Sequence, residues 1–123
     1  MQGKEKDDKM DDKYKELTGR LSRHIGTLRK SIPDTGQAFA SLAQAAMADG
    51  ALDQKTKEFM ALAIGVATHC EGCIGFHVKK LVSLGATREE VMEVLGVAIY
   101  MGGGPSLMYA AEAEQAFDEF SQA

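Results

Sequence analysis

The stretch DQKTKEFMALAIGVATHCEGCIGFHVKKLVSLG, residues 53–85, decides the fold. Its apolar residues recur every three or four positions on both sides of Cys70, a spacing typical of amphipathic helices. Asp53 is a favourable N-cap for the first of these helices, and Gly85 stands where a C′ glycine would end the second. The stretch therefore predicts a helical hairpin with Cys70 and Cys73 at its turn.

Two helices are predicted before the hairpin. Apolar residues at helical spacing run from Asp11 to about Leu28, and Pro33 suits the first turn of a second helix that ends at Asp49-Gly50. Residues 1–13 alternate lysine with acidic residues and have no apolar run. We expect them to form a charged, flexible N-terminal tail and not a secretory signal.

Two helices are predicted after the hairpin. Thr87 and Glu90 form a capping box at the start of one, and three glycines followed by Pro105 begin the other. The side chains of this last helix that we expect to face inward are Leu107, Met108, Ala111 and Phe117. The first helix of the hairpin, which is the third helix of the chain, is apolar on two faces and is expected to be central. Residues 14–123 are thus predicted to form one all-α domain of about six helices.

Composition limits the classes of function. The chain has 123 residues, of which 45% are hydrophobic and 26% charged, as expected for a single globular domain. Its 14 basic and 18 acidic residues give a net charge of -4, which disfavours nucleic acid as a partner. The uncharged run at residues 94–111 is interrupted by Gly102–Pro105, so no membrane span is expected. Without an export signal, we expect a cytoplasmic protein.

The two cysteines form a C-x-x-C motif at the start of the fourth helix. Unpaired amide groups and the helix dipole at such a site favour the thiolate, which is the species that attacks peroxides and disulfides. Cys70 and Cys73 are close enough in sequence to close a disulfide after oxidation. We interpret them as a redox pair, with two small buried residues at a tight turn as the structural alternative.

Histidines accompany the pair. His77 follows Cys73 by four residues, so both lie on one helix face and His77 can shuttle protons. His69 is interpreted as a helix-end residue, with an auxiliary base as the alternative. Cys70, Cys73, His77 and His69 are all possible zinc ligands, but they fall within one short turn, whereas structural zinc sites usually draw on two separated clusters. We therefore expect neither a metal nor a bound cofactor.

The motif E-x(11)-C-x-x-C-x(3)-H, formed by Glu58, Cys70, Cys73 and His77, resembles that of the alkylhydroperoxidase D-like branch of the carboxymuconolactone decarboxylase family. The resemblance extends from Asp53 to Tyr109. It implies an all-helical, oligomeric fold, a trimer or hexamer, and thiol-dependent reduction of hydroperoxides. Electrons would come from an external dithiol or a lipoyl-type reductant protein.

The resemblance also implies roles for the motif residues. Cys73 would attack the peroxide, Cys70 would resolve the sulfenic acid, and Glu58 would serve a proton relay with His77. The best-known peroxidase members carry a histidine between the cysteines, where this chain has Gly72. The alternatives are a decarboxylase, although the decarboxylases proper lack the C-x-x-C pair, and a non-enzymatic redox-sensing oligomer.

Glu58 poses a geometric problem. Along an unbroken helix, its separation from Cys70 corresponds to about 18 Å, far beyond a hydrogen bond. Glu58 can join the site if the helix breaks before Cys70, if the fourth helix folds back so that His77 approaches it, or if a neighbouring subunit supplies it. The structural alternative is an exposed glutamate in the first turn that favours the helix dipole.

Overall fold

Six α-helices make up the part of the chain that the computed structural model describes, residues 12–122, and no strand occurs there. The helices are α1 (Lys13–Ser31), α2 (Pro33–Met47), α3 (Gln54–Ala67), α4 (Glu71–Ser83), α5 (Arg88–Gly102) and α6 (Gly104–Ser121). The prediction of an all-α fold is confirmed. Residues 1–11 of the expected tail lie outside the described residues, while Lys13, at its end, is the first residue of α1.

The α3–α4 hairpin forms the centre of the domain. α4 packs against both α3 and α6, and α5 packs against α3 and α6. Leu62 and Val66 of α3 meet Ile74, Val78 and Leu81 of α4 in the core, all fully buried. Burying one such side chain stabilises a fold by about 1.5–3 kcal/mol. The hairpin that carries the cysteines is therefore held by apolar packing on its inner face.

Local capping fixes where the helices begin. Asp53 accepts a hydrogen bond from the amide of Thr56 at 2.8 Å, at the start of α3. At the start of α5, the Thr87 hydroxyl accepts from the Glu90 amide and the Glu90 carboxylate accepts from the Thr87 amide, at 3.1 and 2.9 Å. The predicted N-cap and capping box are both present.

The start of α1 is capped by a residue from the opposite end of the chain. Glu119 of α6 is only 2% exposed, and its Oε1 accepts hydrogen bonds from the amides of Tyr14 at 2.7 Å and Lys15 at 3.1 Å. Tyr14 and Thr18 are buried below it. These hydrogen bonds fasten the first half of α1 onto α6.

The second half of α1 and the whole of α2 form an arm with little packing against the core. No residue of α2 is buried. A largely apolar groove of about 540 Å³ runs between the two helices. We call it the arm groove; its large apolar residues are Ile25, Leu28, Ile32 and Phe39.

The predicted inward face of α6 is wrong for three of its four residues. On α6, Phe117 is buried but Leu107, Met108 and Ala111 are exposed, and the inner face consists mainly of Ser106, Ala110, Ala113, Ala116 and Phe117. On α3, the second apolar face is also exposed, with Met60 at 50% and Ile64 at 61%. The small side chains of α6 let it approach the hairpin closely, so its larger apolar side chains lie outside.

No helix of the described chain is long and apolar enough to cross a membrane.

Candidate redox site at the hairpin turn

The cysteine pair lies at the N-terminus of α4. Cys70 is the N-cap residue, and a disulfide joins it to Cys73, with the two Cα atoms 5.2 Å apart. The Cys70 Sγ also accepts a hydrogen bond from the Cys73 amide at 3.1 Å. This donor lies where negative charge develops on the Cys70 sulfur when the disulfide is cleaved.

Glu58 and His77 are brought together by the fold of the hairpin. Because α4 returns along α3, the Nδ1 of His77 lies 2.7 Å from the Oε1 of Glu58. The Glu58 side chain is 7% exposed and that of His77 is 32% exposed. Of the three arrangements open at the sequence level, this is the one in which the fourth helix folds back. Glu58 is therefore not an exposed first-turn glutamate.

The hydrogen bond to Glu58 fixes the orientation of the imidazole. An ionised carboxylate can only accept a hydrogen bond, so the Nδ1–H of His77 donates to Glu58. The neutral ring then keeps a basic Nε2. His77 lies one helical turn after Cys73, on the same face of α4. The arrangement can take a proton from a group at the cysteines and return it, with Glu58 stabilising the imidazolium.

The glycines of α4 allow α1 to cover the cysteine turn. A Cβ at Gly75 would lie 2.8 Å from the Thr18 Cγ2 and 3.2 Å from the Tyr14 ring, closer than side chains pack. A Cβ at Gly72 would lie 3.0 Å from Leu21. The position between the cysteines is thus covered by a leucine of α1.

A polar network that sequence reasoning missed borders the site. The Tyr14 hydroxyl donates to Glu112 Oε1 at 2.6 Å, and Lys13 bridges Glu112 and Glu71 at 2.7 Å each. Burial, together with the hydrogen bond to Glu112, raises the pKa of Tyr14, so its hydroxyl stays a donor. Although burial acts in the opposite direction, hydrogen bonds from Lys13 and Tyr14 hold the pKa of Glu112 below its usual value. Glu71 adjoins Cys70 in sequence, so the network connects α1 and α6 to the cysteine turn.

His69 adopts an unusual backbone conformation next to Cys70. Its φ is 60°, in the left-handed region, and its ring stacks on that of Tyr109 with centroids 4.8 Å apart and an interplanar angle of 10°. Tyr109 also lines a cavity of about 280 Å³ with Glu71, Met108 and Glu112. The interpretation of His69 as a helix-end residue agrees with its position, but the stack gives it a tertiary contact that the sequence did not reveal.

Metal binding has no support from side-chain placement. Within residues 12–122, no group of three or more His, Cys, Asp or Glu side chains is placed to hold a metal ion.

Comparison with known proteins identifies the family. The family model for the carboxymuconolactone decarboxylase family matches residues 33–116. The chain belongs to the carboxymuconolactone decarboxylase family. An uncharacterized protein of Cupriavidus necator is 40% identical over 98 residues, which are 80% of this chain and 87% of that protein. An uncharacterized protein from the cox locus of Paracoccus denitrificans is 36% identical, over 85% of this chain and 94% of its own.

Solved structures of carboxymuconolactone decarboxylase family proteins share the fold. The apo structure of a family member from Legionella pneumophila is 58% identical, with a TM-score of 0.88 over 90% of this chain and 99% of that one. A member from Thermotoga maritima, described as a possible participant in an antioxidative response, is 28% identical with a TM-score of 0.66, over 77% of this chain and 87% of its own. The all-helical fold and the C-x-x-C pair are consistent with the alkylhydroperoxidase D-like branch.

Proposed function

We propose that this protein is a thiol-dependent hydroperoxide reductase. The observation that carries the proposal is the 2.7 Å contact between Glu58 and His77, one helical turn from a Cys70–Cys73 disulfide. A purely structural disulfide needs no oriented base beside it, whereas peroxide chemistry needs a thiolate and a proton donor for the leaving group. The antioxidative description of the Thermotoga maritima relative points in the same direction.

Oxidation begins from the dithiol form. His77 Nε2 takes the Cys73 thiol proton, and the resulting thiolate attacks the terminal oxygen of the hydroperoxide. The O–O bond breaks, Cys73 becomes a sulfenic acid, and the alkoxide leaves as an alcohol with the proton from His77. Cys70 then attacks the Cys73 sulfur, the S–O bond breaks, and water leaves with the Cys70 thiol proton. The products are the disulfide, one alcohol and one water.

Reduction requires an external dithiol. Its first thiolate attacks the Cys73 sulfur and expels the Cys70 thiolate. Cys70 is the leaving group because the better-stabilised thiolate leaves faster, and the Cys70 sulfur accepts a hydrogen bond from the Cys73 amide at 3.1 Å. The second thiol of the reductant closes its own disulfide and releases Cys73. A protein-borne dithiol of the lipoyl type fits this step. The proposal places the protein in the reducing cytoplasm, where such dithiols are maintained.

A turnover assay tests the reaction. We expect the protein to consume an organic hydroperoxide through many turnovers when dihydrolipoamide is supplied. A redox sensor would instead oxidise once and not cycle at a useful rate, so single-turnover behaviour with every dithiol tested would reject the enzyme. A panel of hydroperoxides and reductants in the same assay defines the substrate class.

The roles of the two cysteines are tested by trapping sulfenic acid. In Cys70→Ser, we expect a sulfenic-acid probe to label Cys73 after one equivalent of peroxide, because no second thiol resolves it. The matched variant Cys73→Ser should react with peroxide much more slowly. Labelling of Cys70 in a Cys73→Ser protein that still reacts with peroxide would reverse the assignment.

A further inference from the structure

The two helices of the hairpin end in the same backbone motif but with different residues. At the end of α4, the amide of Gly85 donates to the Val82 carbonyl at 3.1 Å, and the amide of Ala86 donates to the Leu81 carbonyl at 3.0 Å. This is the pair of hydrogen bonds of a Schellman ending. Gly85 has a φ of 81°, which glycine adopts without steric cost.

The end of α3 repeats this motif with a histidine. The amide of His69 donates to the Val66 carbonyl at 3.2 Å, and the amide of Cys70 donates to the Gly65 carbonyl at 2.9 Å. Among the described residues, His69 is the one non-glycine with a positive φ. A side chain in this region crowds its own backbone, so the α3 ending bears a cost that the α4 ending avoids.

The stack of His69 on Tyr109 offsets the steric cost of this backbone conformation. Aromatic rings held in parallel contact attract each other beyond their buried area, and Tyr109 belongs to α6, which packs against α4. The stack therefore ties the residue before Cys70 to a helix outside the hairpin. A glycine at position 69 would close the same turn but could not make this contact.

We propose that His69 and Tyr109 are positioning residues for Cys70. By fixing the C′ residue of α3, the stack holds Cys70 as the N-cap of α4, with its sulfur within bonding reach of Cys73. In the dithiol state this preorganisation raises the effective concentration of one thiol at the other. The stack thereby favours the disulfide over the dithiol. This inference rests on the redox role proposed above and adds a determinant of its equilibrium.

The test is the equilibrium of the full chain with glutathione, in which the protein disulfide and two glutathione thiols exchange with the protein dithiol and oxidised glutathione. Alkylation and mass spectrometry give the two protein forms. We expect His69→Gly and Tyr109→Leu each to shift the equilibrium constant towards the dithiol by about three- to tenfold, which corresponds to the free energy of one aromatic stacking contact. Tyr109→Phe, which keeps the ring, should stay close to wild type.

His69→Gly separates positioning from a loss of folding. Glycine is favoured at a left-handed C′ position, so this variant should melt at or above the wild-type temperature while its disulfide becomes easier to reduce. A wild-type equilibrium constant in His69→Gly overturns the proposal. The double variant should match the single variants, and additive shifts would show that the two residues act independently and would also overturn it. Because no peroxide is used, the result stands apart from the peroxidase assay.

Discussion

Glu58 is a buried carboxylate in polar contact with His77. Its side chain is 7% exposed and has lost most of its hydration, which costs free energy unless a partner compensates, and His77 provides that partner at 2.7 Å. We expect Glu58→Gln to lower the peroxidase rate by at least about tenfold. The amide still accepts the Nδ1–H hydrogen bond but no longer stabilises the imidazolium that forms when His77 takes the Cys73 proton.

The Glu58→Gln experiment has a matched control on the surface. Glu93 is an exposed glutamate of α5, and Glu93→Gln should leave the rate unchanged. Both variants should keep the wild-type oligomer and nearly the wild-type Tm, as judged by light scattering and circular dichroism. Wild-type turnover in Glu58→Gln would end the relay hypothesis, while a large fall in Tm would assign the residue to folding instead.

At the scale of single elements, carboxylate caps make the stability of the hairpin depend on pH. Hydrogen bonds from the Thr56 side chain and amide lower the pKa of Asp53 from its usual 3.8. A carboxyl whose pKa is lower in the folded state contributes stability above its unfolded pKa, and the contribution is lost as the pH falls through the folded pKa. We therefore expect Asp53→Ala to lower Tm by a few degrees at neutral pH.

The deficit of Asp53→Ala should shrink as the pH falls below 3.8, since wild type then loses the same interaction. Thermal melts of wild type and variant at neutral pH and at about pH 2 measure it. Glu93→Ala removes a carboxylate from the middle of α5, away from any cap, and serves as the control. A deficit that stays constant between the two pH values would show that the carboxylate charge is not what stabilises the start of α3.

Helix ends of this kind could be predicted because their causes are local. Asp53 bonds to the amide of a residue three positions later, and Thr87 and Glu90 bond to each other across the same spacing. Both partners of each cap therefore stand close together in the sequence. For Glu58, by contrast, the sequence left open three arrangements that would bring its carboxylate to the site. Which of them occurs depends on how α4 packs against α3, and this is decided by the whole core.

Contacts between segments that are distant in sequence could not be predicted from local sequence patterns. Tyr14 meets Glu112 across a separation of 98 residues, and Glu119 caps α1 across a separation of 105 residues from Tyr14. Apolar periodicity predicted two apolar faces on α3 and one inward face on α6, but it does not say which face meets another helix. On α6 the alanine face is the buried one, because small side chains permit closer helix packing than Leu107 and Met108.

At the scale of the whole molecule, large apolar side chains are exposed on two faces, the arm groove and one face of α5. Phe39 is 70% exposed and Leu28 55% exposed in the arm groove, while Tyr100 and Met101 on α5 are 84% and 75% exposed. Large apolar side chains grouped on an exposed face are typical of protein–protein contact surfaces. We propose that further copies of this chain cover these two faces, as a trimer or hexamer.

Light scattering at micromolar concentration tests this assembly, with a mass of three or six times 13.2 kDa as the expected result. Phe39→Glu places a charge in the arm groove and should lower the mass, because desolvating an unpaired carboxylate at an interface is costly. Leu52→Glu makes the same change at a residue that is 46% exposed in the loop between α2 and α3, outside the groove, and should leave the mass unchanged. If the two variants behave alike, the arm groove is not the interface, and a monomeric wild type would exclude the assembly altogether. If Phe39→Glu is monomeric but keeps its rate with hydroperoxide and dithiol, the Glu58–His77 site works within one chain, as their contact inside one hairpin implies.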